Sequence, residues 1–386
     1  MIDKTIKGIK YRLDEENLTA EVIQKKGYEG DFIIPETVVL KKVAYRVTSI
    51  GYGAFSSCSS LTSVVIPDSV TSIGNEAFWR CTSLTSIVIP DSVTSIGLSA
   101  FYDCSSLSSI VIPDSVTSIG QEAFRGCKSL TSIVIPESVT SIGYKVFYYC
   151  SSLTSVVVVE GNTVYDSREQ CNAIIHTATN TLICGCQNTI IPAGVTSIGK
   201  YAFYGCSSLT SIVIPDSVTS IGKWAFSWCD SLTSIVIPDS VTSIGYEAFW
   251  HCSSLTSIVI PDSVTSIGMN AFHRCSSLTS IVIPDGVTSI GESAFKYCSS
   301  LTSIVIPDSV TSIGESAFDG CSSLTSIVIP DSVTSIGKWA FSWCDSLTSI
   351  TFQGTKAQWK GINLGEDWND AVPTKVIHCT DGEVEI

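Results

Sequence analysis

Apolar and polar residues alternate along this chain in a pattern that repeats every 23 positions. One copy begins with Leu84, Ile87 and Ile89, which are separated by Thr, Ser and Val. β-Branched residues in such a run favour an extended strand with one row of side chains buried and the other exposed. Pro90 has no amide donor and is expected to end the strand. The pattern therefore predicts a short β-strand at the start of each copy.

The second half of each copy predicts a turn, another extended segment and a compact bend. An Asp-Ser pair first turns the chain. Val93 and Ile96 then point inward from a second short strand, which Gly97 ends. Residues 98–102 are expected to form a helical turn that buries an Ala and a Phe side chain. The next cysteine closes the copy.

Twelve cysteines occupy the same position in successive copies. They are Cys58, Cys81, Cys104, Cys127, Cys150, Cys206, Cys229, Cys252, Cys275, Cys298, Cys321 and Cys344. A fixed period of this length is typical of a repeat solenoid, in which each copy buries its apolar face only against its neighbours. We interpret the cysteine column as buried, reduced thiols that act as small apolar fillers.

The spacing divides the chain into five segments, because the steady count breaks between Cys150 and Cys206. An open solenoid would leave apolar ends and unpaired strand edges, so a cap is expected at each end. The predicted segments are a hairpin-like N-terminal cap at 1–46, a first repeat block at 47–150, an irregular interrupting coil with a hairpin at 151–195, a second block at 196–350 and a C-terminal cap at 351–386.

The repeated phrase resembles that of BspA-type leucine-rich repeat proteins, a bacterial surface-antigen class. The pattern L-x-x-I-x-I-P, then V-x-x-I-G, then A-F-x-x-C recurs from Val47 to Ile350. The resemblance implies a leucine-rich-repeat superhelix of β-strand, turn and short-helix units with a parallel β-sheet. It also implies adhesion or recognition at a cell surface, and no catalytic residues.

Charge and hydropathy narrow the classes of partner. The net charge of −14 argues against nucleic acid and anionic membranes as partners. No apolar run approaches the roughly 18 residues that a membrane-spanning helix needs. Met1–Lys4 lack the apolar core of a secretory signal, so either the chain is not exported or a signal has been removed. The expected location is the cell surface or the outside of the cell, with the cytoplasm as the alternative.

Unlike reactive groups come together in the sequence only within the interrupting coil. They are Cys171, His176, Cys184 and Cys186. Their C-x-C spacing is a weak zinc signature, so unpaired thiols are favoured over a disulfide or a metal site. We predict no enzyme activity, no metal and no cofactor. The redox states of these three cysteines and of Cys379 stay open.

Sequence variation between copies concentrates in the four positions that flank each Ala-Phe pair. Six of the eight tryptophans and nine of the thirteen tyrosines fall there. Because Trp, Tyr and Arg dominate binding hot spots, we predict that these positions contact a ligand. An outer layer of the core is the alternative reading. The candidate binding residues are Trp79, Arg80, Tyr148, Tyr149, Tyr204, Trp224, Trp228, Trp250, His251, His273, Arg274, Trp339 and Trp343.

The strands, by contrast, expose an almost invariant lattice of Thr, Ser and Val, which suits a periodic ligand or reflects recent duplication. Residues 218–235 are identical to residues 333–350, in support of duplication. The primary hypothesis is a non-enzymatic recognition or adhesion protein with an extracellular protein ligand. A carbohydrate- or polymer-binding module and an intracellular interaction scaffold are the alternatives. The repeat motif sets neither the ligand nor the oligomeric state.

Overall fold

The computed structural model describes residues 1–386, which form two compact units. The first unit contains residues 1–178 and 185–189, and the second contains residues 179–184 and 190–386. Within each unit the chain winds as a β-solenoid of 23-residue coils with parallel strands, which confirms the predicted repeat architecture. None of the helices has the length and apolar character needed to cross a membrane.

Each coil begins with a strand that pairs with the equivalent strand one coil away, as Ser63 does with Ser86. In the first unit these strands are Leu61–Val65, Ser86–Val88, Ser132–Ile135 and Ser155–Val158. In the second unit they are Ser234–Val236, Ser257–Val259, Ser280–Val282, Ser303–Val305, Ser326–Ile329 and Ser349–Phe352. The predicted alternation is confirmed, because Leu84, Ile87 and Ile89 are buried whereas Val88 is exposed.

A second row of two-residue strands follows the turn after each proline. In the first unit they are Ser72–Ile73, Ser95–Ile96, Ser118–Ile119 and Ser141–Ile142. In the second unit they are Ser197–Ile198, Ser220–Ile221, Ser243–Ile244, Ser266–Ile267, Ser289–Ile290, Ser312–Ile313 and Ser335–Ile336. The glycine that ends each strand is set by close stacking, since a Cβ on Gly120 would lie 2.5 Å from the Leu98 nitrogen.

Phenylalanine and cysteine columns fill the interior of both units. Successive Phe rings stack nearly parallel, with centroids 5.5 Å apart for Phe249 and Phe272 and an interplanar angle of 3°. Column thiols donate to the backbone carbonyl of the phenylalanine in the preceding coil, as Cys275 Sγ does to the Phe249 oxygen at 3.2 Å. The cysteines are therefore buried fillers that also satisfy one carbonyl per coil.

Consecutive β-turns stand where the sequence predicted a helical turn. The amide of Ala77 donates to the Gly74 carbonyl, and the amide of Cys81 donates to the Phe78 carbonyl. The third residue of each turn, Glu76 or Arg80, has a φ of 56° or 57°, as a type II turn requires. The amides of these left-handed residues donate to the next coil. Stacking between coils, rather than a helix, therefore satisfies this backbone.

Six strands form the N-terminal end of the first unit. They are Ile2–Ile6, Ile9–Asp14, Thr19–Val22, Gly30–Ile33, Thr37–Leu40 and Val43–Ile50. The second and third strands form an antiparallel hairpin whose turn is held by the Asp14 carboxylate, which accepts from the amides of Glu16 and Asn17. Gly30–Ile33 pairs in parallel with the first repeat strand, so this end of the sheet is covered.

The interrupting coil and the C-terminal end contain the remaining elements. In the interruption they are strands Tyr165–Asp166, Ala173–His176 and Thr181–Gly185, with 3₁₀ turns at Arg168–Gln170 and Thr177–Thr179. At the C-terminal end they are helix Lys356–Trp359 and strands Asn363–Leu364, Val376–Cys379 and Gly382–Glu385. The helix begins with a capping box between Thr355 and Gln358, and its Trp359 is buried over the last coil.

One repeat departs from its neighbours in a way that predicts a stabilising substitution. Ser263 Oγ donates to the Val241 carbonyl at 2.6 Å, and Ser309 Oγ donates to the Val287 carbonyl at 2.7 Å. Gly286 takes the place of this serine, and a Cβ there would meet its nearest atoms at 3.4 Å, which is ordinary contact. Gly286→Ser should therefore restore the bond and raise the free energy of unfolding by about 1 kcal/mol. Urea unfolding measures this gain, and an unchanged or lower midpoint would contradict it.

Candidate functional site

The four positions that flank each Ala-Phe pair lie together on one side of the coils, and we call this surface the turn face. The second and fourth of these positions are left-handed in successive coils. Glycine occupies the fourth position at Gly126, Gly205 and Gly320, where φ is 71–75°. Other coils place Trp228, with a φ of 60°, and similar bulky residues at the same position. A bulky residue there is uncommon and strained, so its ring is retained for a reason other than backbone geometry.

The structure divides the predicted binding residues by exposure. Arg80, Arg274, Trp339 and Trp343 are exposed, whereas Tyr148 is buried. Partly buried residues make up the remainder: Trp79, Tyr149, Tyr204, Trp224, Trp228, Trp250, His251 and His273. The turn face is therefore partly an outer layer of packed rings and partly an open surface.

One ring cluster of the second unit is built around Trp224. Its ring stacks on Tyr201 with centroids 4.8 Å apart, and it meets Tyr246 edge to face at 5.0 Å. Lys200 Nζ lies 5.0 Å from the Trp224 ring centroid. The indole N–H donates to Glu247 Oε2 at 2.7 Å. These contacts hold the Trp224 side chain in one orientation.

A second cluster of the same unit contains Trp228, Trp250, His251 and His273. Trp228 stacks on His251 with centroids 3.9 Å apart and meets Trp250 edge to face at 5.5 Å. Burial, and then the positive charge of Arg274, lowers the pKa of His273 to about 4. The His273 imidazole is therefore neutral at pH 7 and packs as an aromatic ring.

Trp339 and Trp343 belong to a segment with the same sequence as the one around Trp224 and Trp228, but they have fewer ring neighbours. Trp339 is 37% exposed and Trp343 is 59% exposed. Lys338 Nζ lies 4.1 Å from the Trp339 ring centroid and pairs with Glu366 at 2.8 Å. This part of the turn face presents two accessible indoles beside a cation.

The first unit combines rings with arginines. The Arg80 guanidinium lies 4.9 Å from the Trp79 ring centroid, and the Arg125 guanidinium lies 5.0 Å from that of Tyr102. Arg125 also lies over two more of the rings, Tyr148 at 5.6 Å and Tyr149 at 5.7 Å. A cation held against several ring faces is a stabilising arrangement. In this unit the structure brings most of the predicted residues into neighbouring contacts.

The list of predicted binding residues left out the most exposed tyrosines. Tyr52 is 65% exposed and Tyr144 is 67% exposed, and both occupy the first turn-face position. That position follows the stacked glycine and precedes the left-handed residue, so its side chain points away from the coil. The position within the repeat was the signal that could have selected them.

The outward Thr, Ser and Val side chains of the strands form a second surface, which we call the strand face. Its valines are exposed in both units, from Val65 to Val157 and from Val213 to Val328. The threonine hydroxyls are already used, as Thr256 Oγ1 donates to the Thr233 carbonyl at 3.0 Å. The strand face is uncharged and regular, and it presents valine methyl groups beside exposed serine side chains.

In the interruption, the thiols of Cys171 and Cys186 are buried. No group of three or more His, Cys, Asp or Glu side chains has a geometry that could hold a metal ion. Burial raises the pKa of the Cys171 thiol to about 11, and Cys186 Sγ donates to the Asn172 carbonyl. A thiol in this state is protonated at neutral pH and is a poor nucleophile.

Comparison with known families returns the BspA type leucine rich repeat region, in six copies, over residues 47–171, 181–302 and 288–360. No curated protein sequence matches the chain significantly.

Solved bacterial leucine-rich repeat structures are similar over nearly the whole chain. A leucine-rich repeat protein from Bacteroides ovatus is 34% identical, with a TM-score of 0.66, over 96% of this chain and 93% of the other. A leucine rich cell surface protein from Faecalibacterium prausnitzii is 30% identical, with a TM-score of 0.56, over 94% and 98%. The pneumococcal vaccine antigen PcpA has a TM-score of 0.65 at 20% identity over 98% of both chains, which shows a shared fold.

Proposed function

Because this chain belongs to the BspA-type leucine-rich repeat family, we propose that it is a recognition or adhesion protein of the cell surface or the extracellular space. It binds a partner protein through the turn face and performs no catalysis. One similar structure is that of a cell surface protein, which supports this location. The observation that carries the proposal is the placement of large rings at left-handed positions of the turn face.

Glycine would remove the backbone strain at these left-handed positions of the turn face. A left-handed conformation costs a non-glycine residue about 1 kcal/mol or more. The chain uses glycine at Gly126, Gly205 and Gly320, so the fold itself is compatible with glycine there. Trp343, at φ 57°, keeps its ring largely exposed. Rings that are strained and exposed, and that belong to the residue types of hot spots, are best explained by contact with a partner.

The exposed pair near the C-terminal end is the strongest candidate contact. Trp339 and Trp343 occupy the second and fourth turn-face positions of one coil, and Lys338 is next to Trp339. The two exposed indoles form a contact that a partner can cover with an apolar patch, and the Lys338–Glu366 ion pair lies at its border. Trp224 and Trp228 contribute less accessible surface, because neighbouring rings cover them.

The proposal is tested by binding of the purified protein to a panel of extracellular-matrix proteins and to a glycan array. We expect saturable binding to at least one protein. The Trp339→Ala/Trp343→Ala variant should lose at least about tenfold in affinity while its unfolding midpoint stays within about 2 °C. Saturable protein binding that the variant retains in full would contradict the role of this pair.

Carbohydrate recognition is the second candidate, because the strand face repeats at the spacing of the coils over many copies. A ligand on that face should be lost when bulky residues replace Thr256 and Thr279, which are exposed neighbours one coil apart. The turn-face variant should leave such binding intact. Glycan binding that the strand-face variant loses and the turn-face variant keeps would identify the strand face as the binding surface.

A further inference from the structure

We propose that the interrupting coil contains a separate binding site for an extended peptide that carries a basic residue, in a cavity between strand Ser155–Val158 and the loop at 165–172. The open cavity has a volume of about 790 Å³, which is within the usual range of ligand sites. It is the concave feature in which the repeat is interrupted, and it is built without turn-face residues. A test of this site is therefore independent of a test of the proposed function.

The cavity reaches the strand along its backbone edge. All five residues from Ser155 to Val159 line it, although their side chains alternate in direction: Val156 and Val158 are buried, whereas Val157 is 41% exposed. A space that touches both sets must run beside the backbone. The strand pairs with Ser132–Ile135 on one side. On its other side the Gln187 amide donates to the Leu153 carbonyl just before the strand, and the cavity borders the rest of that edge.

The amides of this edge are directed toward the cavity. In a parallel ladder, alternate amides point to opposite sides of the strand. The Val159 amide donates back to Ile135, whereas the Val158 amide donates to Ser167 Oγ at 2.9 Å on the cavity side. Val156 lies two residues before Val158 and directs its amide the same way. The Val158 amide is occupied by Ser167, so an extended peptide would pair with this edge through the backbone groups of Val156.

The loop that forms the opposite wall is fixed by side-chain hydrogen bonds. Arg168 makes a bidentate ion pair with Asp166, at 2.8 Å and 2.6 Å. Ser167 Oγ donates to the Ala173 carbonyl at 2.6 Å while it accepts from Val158. Glu169 and Gln170 are left-handed, with φ values of 57° and 54°. Strained residues that specific bonds maintain are a mark of pre-organised sites.

The charge of the lining residues indicates what kind of peptide fits. Glu160, Asp166 and Glu169 carry negative charge and only Arg168 offsets it, which leaves a net charge of −2. Arg168 is already engaged with Asp166, so the exposed carboxylates of Glu160 and Glu169 remain at the rim. The exposed apolar side chains of the lining are Val157 and Val159. The matching ligand has an apolar side chain that faces Val157 and a Lys or Arg near the rim.

The test is selection of short random peptides displayed on phage against the full-length protein, followed by affinity measurements on the enriched peptides. We expect extended sequences with alternating apolar residues and at least one Lys or Arg. Val157→Lys should reduce the affinity at least about tenfold, because it replaces an exposed apolar side chain of the lining and repels the basic group. Val134→Lys is the matched control, since Val134 occupies the same outward position one coil earlier. It should change the affinity by less than about twofold, because Val134 does not line the cavity.

Hydrogen exchange locates the bound peptide and shows whether the variants are folded. Bound peptide should slow amide exchange in residues 154–159, and Trp339→Ala/Trp343→Ala should leave the affinity unchanged. The proposal is overturned if no peptide is enriched, if Val157→Lys and Val134→Lys weaken binding equally, or if protection appears on the turn face instead. Both lysine variants should melt as the parent does, because both side chains are exposed.

Discussion

Raising the pH from about 8 to about 10 should unfold the repeats, because the unfolded chain releases protons that the folded chain holds. Burial raises the pKa of eleven of the twelve column thiols. For Cys81 and Cys298 the pKa is raised to about 12. In the unfolded chain a thiol ionises near pH 8.5.

The direction of this effect follows from the raised pKa. The stabilisation is fully present below the unfolded pKa and is lost as the pH rises above it toward the folded pKa. At pH 10 each such thiol lowers the free energy of unfolding by roughly 1 kcal/mol or more. The column contains eleven thiols with a raised pKa, so the losses add up. The loss should exceed the effect of any single substitution.

Thermal unfolding in a reducing agent, followed by circular dichroism over this pH range, measures the loss. The Cys275→Ala/Cys298→Ala variant is the control, because both thiols are fully buried and neither replacement can ionise. Its unfolding midpoint should depend less steeply on pH than that of the parent. A midpoint that stays constant up to pH 10 would mean that the thiols are not buried as a column.

Phe272→Ala should cost about 3–5 kcal/mol of unfolding free energy, because the ring has no exposed surface and the cavity left behind cannot close. Its centroid lies 5.5 Å from those of Phe249 and Phe295, so the substitution breaks the stack in both directions. Urea unfolding measures the cost. Val282→Ala is a suitable control, because Val282 is 67% exposed and its loss should change stability little.

Phe272→Ala should affect the stability of the protein but not its binding. Phe272 is inside the second unit, and its removal should leave the affinity for a turn-face ligand unchanged at a temperature where the protein is folded. An unchanged unfolding midpoint in Phe272→Ala would contradict the stacked core.

Local pattern was sufficient to predict which strand residues are buried. Leu84, Ile87 and Ile89 differ from Val88 only by their place in the alternation, and that place is dictated by strand geometry. The turn-face backbone could not be predicted in the same way. Residues such as Glu76 and Arg80 have no local preference for a left-handed conformation, which bonds to the next coil impose. A helical turn was therefore the better local expectation.

Whether a candidate site residue is exposed depends on the residues of the adjoining coil, which the repeat pattern does not specify. Residues 218–235 and 333–350 have the same sequence, yet Trp228 is partly covered by His251 whereas Trp343 is open. The difference comes from the adjoining segment. His251 places a ring against Trp228, whereas the segment next to Trp343 is the turn at 366–371, whose Asp370 carbonyl accepts from the Trp343 amide. A repeat sequence identifies the position, and the adjoining coil decides whether it is accessible.

The identical segments also supply the measurement that tests the central claim most directly. Partner binding and thermal stability should be measured side by side for Trp339→Ala/Trp343→Ala and for Trp224→Ala/Trp228→Ala. We expect the first variant to lose affinity at least about tenfold with little change in stability. The second should lose stability, because it breaks the stacks on Tyr201 and His251. Full retention of affinity in the first variant, with a folded protein, would contradict recognition through the exposed rings of the turn face.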